Sequence, residues 1–286
     1  MPVVVIGAGG LVGRTLLRRL AGTGGEVRAL VRSASDRDAL APVVSKVAIA
    51  DLEDVETLST MLHDAHTVVH LAGGLDLPDD AAYARANLST VEWMLEAAAL
   101  AHVRRVVFLS YPGAASGSLN PYLRSKGLAE EAIASSGMPE AVIVRSAHVY
   151  GPGSRWLAAM RAVARAPLAV FPGTGSARIA PIFAEDAAAA LAAADDRAGA
   201  VTGTFGLQGP DTVTTDEFIV LLAGRPRRVV HLRPGGAGRV ARLVGRPMSP
   251  AMLEILSSDS LADGPDAAAE FGVALTPLRE GLSRSI

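Results

Sequence analysis

Cysteine is absent from the sequence, which excludes disulfides, thiol nucleophiles and cysteine-ligated metals. Aromatic residues make up only 4% of the chain and its formal net charge is -2, so no cationic, base-stacking surface for nucleic acid is expected. The longest apolar run, near residues 187–194, is too short to cross a membrane. No basic segment precedes the first apolar run, so no signal peptide is predicted. We therefore expect a cytoplasmic protein that binds neither nucleic acid nor membrane.

Histidine is also scarce, and its spacing does not indicate a metal site. Of the six histidines, only His66 and His70 stand four residues apart, as helical metal ligands often do. Residues 67–69 between them are Thr-Val-Val, which is typical of a strand, so the spacing has no helical meaning. We predict no metal.

Half of the residues are hydrophobic, and short apolar runs alternate with longer segments of helical periodicity. Fully apolar strands that alternate with helices are typical of a parallel sheet covered on both faces. The sequence therefore predicts an α/β protein with a doubly wound parallel Rossmann sheet. The predicted strands are 3–6, 27–31, 47–50, 67–72, 105–110 and 141–145, and the predicted helices are 11–20, 55–62, 82–101 and 122–135.

The rhythm changes after residues 151–153, where segments become shorter and glycine and proline interrupt them more often. We predict a dinucleotide-binding domain over 1–150, rejoined by parts of 176–210. Residues 151–286 are predicted to form mainly a smaller substrate-binding region. Within it, 229–250 is rich in arginine and glycine, which fits either a mobile lid or a surface loop.

A glycine-rich turn joins the first predicted strand to the first predicted helix. Gly7, Gly10 and Gly13 are spaced so that one permits a tight turn, one permits close approach of a pyrophosphate, and one permits close helix packing. The backbone N–H groups of Leu11 and Val12 then open a helix whose positive end attracts phosphate. The turn predicts a nicotinamide dinucleotide site.

The end of the second strand indicates which dinucleotide binds. An NAD site usually has an acidic residue there, whereas this strand ends in Arg32 and Ser33 and no carboxylate follows until Asp36. Arg32 can pair with a 2′-phosphate and Ser33 can donate to it. The sequence favours NADP(H) over NAD(H).

Two further strand ends are predicted to contact the cofactor. Asp51, followed by Leu52, either accepts from the adenine amino group or caps the next helix. Ala72 and Gly73 are small, which allows a ribose and pyrophosphate to lie against the sheet edge.

Tyr122 and Lys126 are spaced to share one face of a helix. A cation beside a phenol favours the phenolate, so we expect the pKa of Tyr122 to be lowered. Such a tyrosine can give a proton to a carbonyl that is being reduced, and the lysine can also hold the nicotinamide ribose.

The chain resembles the extended and atypical short-chain dehydrogenases/reductases, the epimerase/dehydratase-like and NmrA-like superfamily. Proteins of this kind include ketoreductases, nucleotide-sugar epimerases, isoflavone-reductase-like enzymes and catalytically silent NADP sensors, so the resemblance implies the fold more strongly than the reaction. The motifs that carry it extend roughly from residue 3 to residue 222 and are 7–13, 51–52, 70–73, Asn87, 122–126, 145–153 and 181–186.

The resemblance implies a serine or threonine after the fifth strand that holds the substrate oxygen. Simple alignment places this hydroxyl at or near Pro112. Ser110 is the predicted substitute, with Ser116 and Ser118 as alternatives. The proton source then remains open between Tyr122 and four alternatives, namely Tyr111, His148, water or the substrate itself.

The segment 145–153 resembles the family segment that passes beside the nicotinamide, which implies cofactor contacts from Ala147 and His148. Substrate contacts are expected mainly after residue 151. The predicted substrate-binding residues are Tyr111, His148, Trp156, Arg178 and Phe183, with Met160 and Phe171 as further candidates.

No cluster of basic residues suggests a clamp for a substrate diphosphate. We therefore predict an NADPH-dependent ketoreductase for a moderately large, low-charge carbonyl compound, such as a polyketide or aromatic ketone of secondary metabolism. The alternatives are a nucleotide-sugar epimerase or dehydratase, and a non-catalytic NADP(H)-sensing regulator. A monomer and a homodimer through helices 82–101 and 122–135 both fit the sequence.

Overall fold

The computed structural model describes residues 2–196, 201–233, 235–236, 238–239 and 248–285. Its strands are β1 (Val3–Ile6), β2 (Val27–Val31), β3 (Lys46–Ile49), β4 (Thr67–His70), β5 (Arg105–Ser110), β6 (Glu140–Ser146), β7 (Val149–Tyr150), β8 (Ala169–Pro172), β9 (Arg178–Ile179), β10 (Ile182–Phe183), β11 (Gly203–Leu207), β12 (Val213–Thr214) and β13 (Val229–Leu232).

Seven of these strands form one parallel sheet in the order β11-β6-β5-β4-β1-β2-β3. The chain winds from β1 to β3 in one direction and from β4 onward in the other, so the predicted doubly wound Rossmann fold is confirmed. The reversal between β1 and β4 opens a crevice at their carboxyl ends, where α/β proteins bind ligands.

The helices cover both faces of the sheet. They are α1 (Leu11–Ala21), α2 (Ala34–Leu40), α3 (Val55–Leu62), α4 (Asp80–Tyr83), α5 (Thr90–Leu100), α6 (Pro121–Ser135), α7 (Arg155–Arg165), α8 (Ala184–Asp196), α9 (Thr215–Ala223), α10 (Pro250–Ser257), α11 (Ala267–Phe271) and α12 (Leu278–Ser283). Helices α1 and α8 pack against one face, and α3, α5 and α6 pack against the other. Valine and isoleucine side chains of the inner strands, such as Val4 and Val5, are fully buried between them.

The predicted uniform helix over 82–101 is wrong in one respect. Between α4 and α5 the chain forms a π-helical turn over Ala84–Ser89. The turn contains Asn87, whose fully buried side chain bonds to both backbone groups of Gly74 and to Ser125. Widened turns of this kind are common at functional sites. Here the turn directs the Asn87 amide inward, where it forms hydrogen bonds with the backbone of the loop after β4.

Strand β4 ends at His70, two residues earlier than predicted. Leu71 still donates its N–H to Ile6, but Ala72 leaves the ladder and lies against the turn that follows β1. Close approach to Gly7 therefore ends the strand.

The region after residue 151 does not form one uninterrupted unit. Strand β11 lies beside β6 in the central sheet and α8 packs on α1, whereas α7, α9 and β8 surround a separate apolar cluster that includes Phe171 and Phe218. The division at residue 150 stays a prediction. Of the predicted lid or loop over 229–250, the first part is strand β13, which pairs with β8, and residues 234, 237 and 240–247 lie outside the described residues.

Among the described residues, no helix is both long and apolar enough to cross a membrane.

Helix α6 approaches the backbone of the preceding loop at Gly127. A Cβ added there would lie 2.5 Å from the Cα of Ala115 and closer still to the next peptide group. Because the obstacle is backbone, Gly127→Ala is expected to lower the free energy of unfolding by about 2 kcal/mol or more. Urea denaturation measures the change. Gly117→Ala is the control, since nothing lies within 4 Å of a Cβ there, and equal losses for both variants would contradict the prediction.

Candidate active site

The glycine turn after β1 is shaped by two close approaches. Gly7 has a φ of 80°, and a Cβ there would lie 2.5 Å from the N atom of Ala72. A Cβ on Gly13 would lie 2.7 Å from both the Cα of Ala8 and the carbonyl oxygen of Gly7. These two positions hold the turn against the residues that follow β4 and the helix against the turn.

Helix α1 begins at this turn with free N–H groups. Its N-cap is Gly10, which has no side chain to accept from the first-turn N–H groups of Leu11 and Val12, and no acidic residue occupies the first turn. An uncapped helix N-terminus at a sheet switch point fits a pyrophosphate. The residues present therefore fit a dinucleotide.

The end of β2 holds the residues predicted to select the dinucleotide. Arg32 is exposed and forms no hydrogen bond or ion pair with any other described residue. Ser33 instead caps α2, since its Oγ accepts from the N–H of Asp36 and donates to the carboxylate of the same residue at 2.8 Å.

Sequence reasoning missed Arg14 and overlooked the role of Asp36. The Arg14 guanidinium lies 2.5 Å from Asp36 Oδ1, and its Nε donates to the carbonyl oxygen of Gly9 at 2.8 Å. The position of Arg14, directly after the third glycine, was the available signal.

At the end of β3, Asp51 is exposed and its Oδ1 accepts from the N–H of Glu53 at 3.3 Å. Helix α3 is capped by Asp54, which accepts from Thr57 at 3.0 Å, so the capping role considered for Asp51 is filled by another residue. Leu52 is buried beside it. A contact of Asp51 with adenine stays a prediction.

Lys126 lies at the carboxyl edge of the sheet, buried on α6. Its Nζ donates to the carbonyl oxygen of Leu109 at 2.9 Å and lies 4.5 Å above the ring of Phe108. A Cβ on Gly73 would be 3.5 Å from this nitrogen, so the predicted cofactor residues Gly73 and Lys126 are adjacent. Burial lowers the pKa of Lys126 to about 8, and Glu130 partly opposes this shift. The Lys126 ammonium has three N–H donors and uses one of them for Leu109, so donors remain for a ribose.

Tyr122 stands one turn before Lys126 on the same helix. Asn120 caps α6 by accepting from the N–H of Tyr122 at 3.0 Å. The Tyr122 ring packs against Tyr111 and Tyr83, with centroids 5.5 and 6.3 Å away, and is only 7% exposed. Its hydroxyl makes no hydrogen bond to any other part of the described chain. It is therefore available to a ligand.

The expected lowering of the Tyr122 pKa is wrong. Burial raises the pKa of Tyr122, and the neighbouring Tyr111 and Tyr83 raise it further. The ammonium of Lys126 is directed to a carbonyl oxygen rather than to the phenol. Tyr122 is therefore a neutral phenol at physiological pH.

The Ser110 hydroxyl is hydrogen-bonded to a residue other than Tyr122. Its hydroxyl donates to Glu130, which forms an ion pair with Arg145 at 2.7 Å. The alternatives are also occupied, because Ser116 donates to Glu131 and Ser118 accepts from the backbone of Asn120. The catalytic role predicted for Ser110 conflicts with this arrangement.

A polar cluster lies on the other side of Tyr111. The Tyr111 hydroxyl lies 2.9 Å from Ser260 Oγ and 3.3 Å from His148 Nδ1. The His148 ring stacks on Trp156 with centroids 4.8 Å apart, and burial lowers the pKa of His148 to about 4. His148 is therefore neutral at pH 7 and orients Tyr111. Sequence reasoning missed Ser260 because nothing local connects it to a residue so distant in the chain.

Three of the predicted substrate residues lie in the core. Phe183 packs on Tyr150 with centroids 5.6 Å apart and is 1% exposed, so its predicted substrate contact is wrong. Met160 and Phe171 are likewise buried in the core. Ala147 is buried and donates its N–H to Leu207.

Helix α10 covers the tyrosines. Ala251 and Ile255 pack against the rings of Tyr83, Tyr111 and Tyr122, and Asn120 donates to the carbonyl oxygen of Ala251 at 3.2 Å. A cavity of about 380 Å³ lies between this helix and the loop after β5. Its apolar lining includes Pro112, Leu123, Ile255 and Leu261.

The charged residues at the cavity are partnered. Arg178 forms an ion pair with Asp259 at 2.8 Å, and Asp263 forms one with Arg145 at 2.6 Å. Glu254 accepts from Asn120 at 3.0 Å. No unpaired cation lines the cavity among the described residues. No group of three metal-ligating side chains is present in the described ranges either.

Residues 3–205 match the model of the NAD dependent epimerase/dehydratase family. The chain belongs to this family. The ceramide reductase of Caulobacter vibrioides is 34% identical over 197 residues, which are 67% of this chain and 60% of that protein. Subunit 9 of the NADH dehydrogenase 1 alpha subcomplex, a mitochondrial protein of Arabidopsis thaliana, is 29% identical over 229 residues, 76% of this chain and 56% of that protein. The match thus spans little more than half the length of either relative.

Solved structures show the same fold. The UDP-glucose 4-epimerase of Thermotoga maritima, solved with UDP-glucose, has a TM-score of 0.77 at 20% identity and covers 100% of this chain and 97% of its own. The UDP-glucuronic acid 4-epimerase of Bacillus cereus, solved with UDP-glucuronic acid and NAD, has a TM-score of 0.78 at 19% identity, with coverages of 100% and 98%. The extended short-chain dehydrogenase/reductase resemblance is confirmed.

The pKa of Lys126 can be measured directly because the chain contains only two lysines, Lys46 and Lys126. Selective ¹³C labelling of lysine gives two Cε signals. We expect one to titrate near pH 8 and to vanish in Lys126→Met, since burial disfavours the charged amine. The exposed Lys46 gives the other signal, which should remain in Lys126→Met and so serves as the internal control. Two midpoints above pH 10 would contradict the assignment.

The same shift predicts how stability depends on pH. Between the folded pKa of about 8 and the higher unfolded value, the unfolded chain binds more protons, so the Lys126 contribution makes stability rise with pH. The penalty for burying the ammonium is fully present below pH 8. Lys126→Met should therefore raise the free energy of unfolding at pH 7 and flatten the rise between pH 8 and 10.5 relative to wild type.

Proposed function

We propose that this protein is an NADPH-dependent reductase that reduces the carbonyl of a moderately large, low-charge substrate. The observation that carries the proposal is the pairing of Tyr122 and Lys126 on one face of α6. Both are buried at the carboxyl edge of the sheet, and both retain hydrogen-bonding capacity that no described residue uses. This placement beside Gly73 is where a nicotinamide ribose would lie if the glycine turn binds the pyrophosphate.

Each residue has a separate task in this proposal. The cofactor, when bound, supplies hydride chemistry. Lys126 donates to its ribose while keeping its bond to Leu109. Tyr122, a neutral phenol with a raised pKa, holds the proton that the substrate oxygen needs as negative charge develops on it.

Tyr111 takes the place of the family serine in this proposal. Its ring touches Tyr122, and Ser260 and His148 fix its hydroxyl. Tyr111 lines the cavity and Ser110 does not, so Tyr111 is the neighbouring hydroxyl that best suits contact with a substrate oxygen.

The unpaired guanidinium of Arg32 supports NADPH. An exposed arginine at the end of β2, with no acidic partner, can form paired hydrogen bonds to a 2′-phosphate. The family is NAD-dependent in the broad sense, and Arg32 is the feature of this chain that favours the phosphorylated form.

The cavity beneath α10 supports a substrate of low charge. Its lining is partly apolar and partly polar, and the charged groups in it are partnered, whereas a sugar nucleotide brings a diphosphate that needs cations. The likeness to a ceramide reductase supports reduction as the reaction type. We further propose that the protein acts in the cytoplasm, without nucleic acid or membrane, as a monomer or a homodimer through α5 and α6. A role in secondary metabolism belongs to the same proposal.

One observation favours a second function, a non-catalytic NADP(H)-sensing regulator. The serine expected to hold the substrate oxygen is replaced, and the hydroxyls of Ser110, Ser116 and Ser118 are all engaged elsewhere. A regulator would bind cofactor and reduce no ketone.

Cofactor titration by fluorescence quenching tests the cofactor part of the proposal. Wild type is expected to bind NADPH at least about tenfold more tightly than NADH, because a phosphate–guanidinium pair adds charge-assisted bonds. Arg32→Ala should lose this preference and keep its NADH affinity. Arg104→Ala, an exposed arginine at the opposite end of the sheet, is the control. Binding of neither dinucleotide would overturn the proposed function.

Turnover separates the two candidates. NADPH oxidation is followed with a panel of aromatic and long-chain ketones and with UDP-sugars. We expect reduction of ketones, a loss of about 10²-fold or more in Tyr122→Phe, and a comparable loss in Lys126→Met. Conversion of UDP-sugars without net NADPH consumption would instead indicate an epimerase. Cofactor binding without any turnover would indicate the regulator.

A further inference from the structure

An ion pair lies against the glycine turn at the adenosine end of the crevice. Arg14 Nη2 is 2.5 Å from Asp36 Oδ1, and Arg14 Nε donates to the carbonyl oxygen of Gly9 at 2.8 Å. A Cβ on Gly9 would lie 2.8 Å from Asp36 Cγ, so the carboxylate rests directly on the turn. The second carboxylate oxygen accepts from Ser33 at 2.8 Å.

Both oxygens of Asp36 are therefore engaged, one by a cation and one by a hydroxyl. The carboxylate and the guanidinium are partly exposed, at 29% and 42%, so the pair lies at the surface of the turn and not in the core. Arg32 nearby has no partner in the described part of the chain. Arg14, Arg32 and Asp36 together leave one net positive charge at this end of the site.

A free carboxylate here would have two effects on a dinucleotide. It would accept hydrogen bonds from the ribose hydroxyls of NADH, and it would repel the 2′-phosphate of NADPH. Asp36 is the carboxylate that lies nearest to the turn, although it stands too far along the chain to match the usual acidic position after β2.

We propose that Arg14 sets the dinucleotide preference by holding Asp36. Arg14 is a positioning residue: it neutralises the carboxylate and occupies its oxygen, and Arg32 is then free to bind the 2′-phosphate. This inference rests on the proposed NADPH function. No acidic residue stands at the end of β2, so the inference attributes the discrimination between NADPH and NADH to the Arg14–Asp36 ion pair.

A direct contact between Arg14 and the 2′-phosphate is the competing explanation, and the two differ in their dependence on Asp36. If Arg14 acts through Asp36, its removal matters only while the carboxylate is charged. If it contacts the phosphate, its removal costs the same with or without that charge. A double-mutant cycle measures this difference.

The experiment is a titration of NADPH and of NADH on the wild-type chain, Arg14→Ala, Asp36→Asn and the double variant, with dissociation constants as the readout. We expect Arg14→Ala to weaken NADPH about tenfold and to tighten NADH, because the released carboxylate repels phosphate and accepts from the ribose. Asp36→Asn should leave NADPH binding equal or tighter. The double variant should return to within about threefold of wild type for NADPH.

Two matched variants separate positioning from simple structural damage. Arg14→Lys keeps the charge and should restore most of the NADPH preference. Arg37→Ala removes a neighbouring arginine that pairs with Asp38 at 2.8 Å on the exposed side of α2, and should change neither affinity. A general loss of folding would weaken both dinucleotides together, whereas the inference requires them to move in opposite directions.

The outcomes distinguish this inference from the function on which it rests. If the double variant binds NADPH as weakly as Arg14→Ala, Arg14 contacts the phosphate itself and the inference is overturned while the proposed function stands. Equal weakening of NADH and NADPH in Arg14→Ala overturns it as well. If wild type binds neither dinucleotide, the proposed function fails, and the inference fails with it.

Discussion

The close contact of α6 with the loop that precedes it determines the geometry of the candidate active site. Gly127 allows the helix backbone to meet the backbone of residues 115–116 without an intervening side chain. That contact brings the first turns of α6 over the end of β5, where Lys126 reaches the carbonyl oxygen of Leu109. Because a helix is rigid, the position of Tyr122 one turn earlier follows from the same contact. The tyrosine cluster, the cavity and the cover supplied by α10 are arranged around that phenol.

The two ends of the crevice use charge in opposite ways. At the end beside α6, the ammonium of Lys126 is buried and its pKa is lowered. At the end beside α1 and α2, the guanidiniums of Arg14 and Arg32 are partly or largely exposed, and that of Arg14 is paired with Asp36. Solvent and salt screen the field of an exposed charge more than that of a buried one. We therefore expect the buried cation to orient a bound ligand and the exposed cations to select between ligands.

The sequence predicted the sheet, its parallel character and the glycine turn because each depends on local pattern. Alternating apolar strands and helices require a covered sheet, and the spacing of Gly7, Gly10 and Gly13 belongs to a single turn. It also placed Tyr122 and Lys126 on one face of one helix. The sequence did not reveal Ser260 beside Tyr111, since that contact joins residues from distant parts of the chain.

Errors arose where tertiary burial outweighed a local rule. A lysine four residues from a tyrosine favours its phenolate in isolation, but in the fold Lys126 bonds to the backbone and burial raises the pKa of Tyr122. Ser110 matched the expected chemistry, but Glu130 on the facing helix captures its hydroxyl. Phe183 had the right size for a substrate contact and proved to be core. In each case the deciding partner lies on another element.

The π-helical turn over Ala84–Ser89 makes the chain sensitive to length at that place. A π turn accommodates one more residue than an α turn, so deletion of a single residue between positions 84 and 89 would allow a regular helix to form. The segments on either side would keep their faces, because the wide turn absorbs the extra residue. Asn87 would instead lose the position from which it bonds to Gly74 and Ser125. The length of this turn, and not only its composition, is therefore under constraint, and changes in length should be tolerated far better in the exposed turn at residues 22–25.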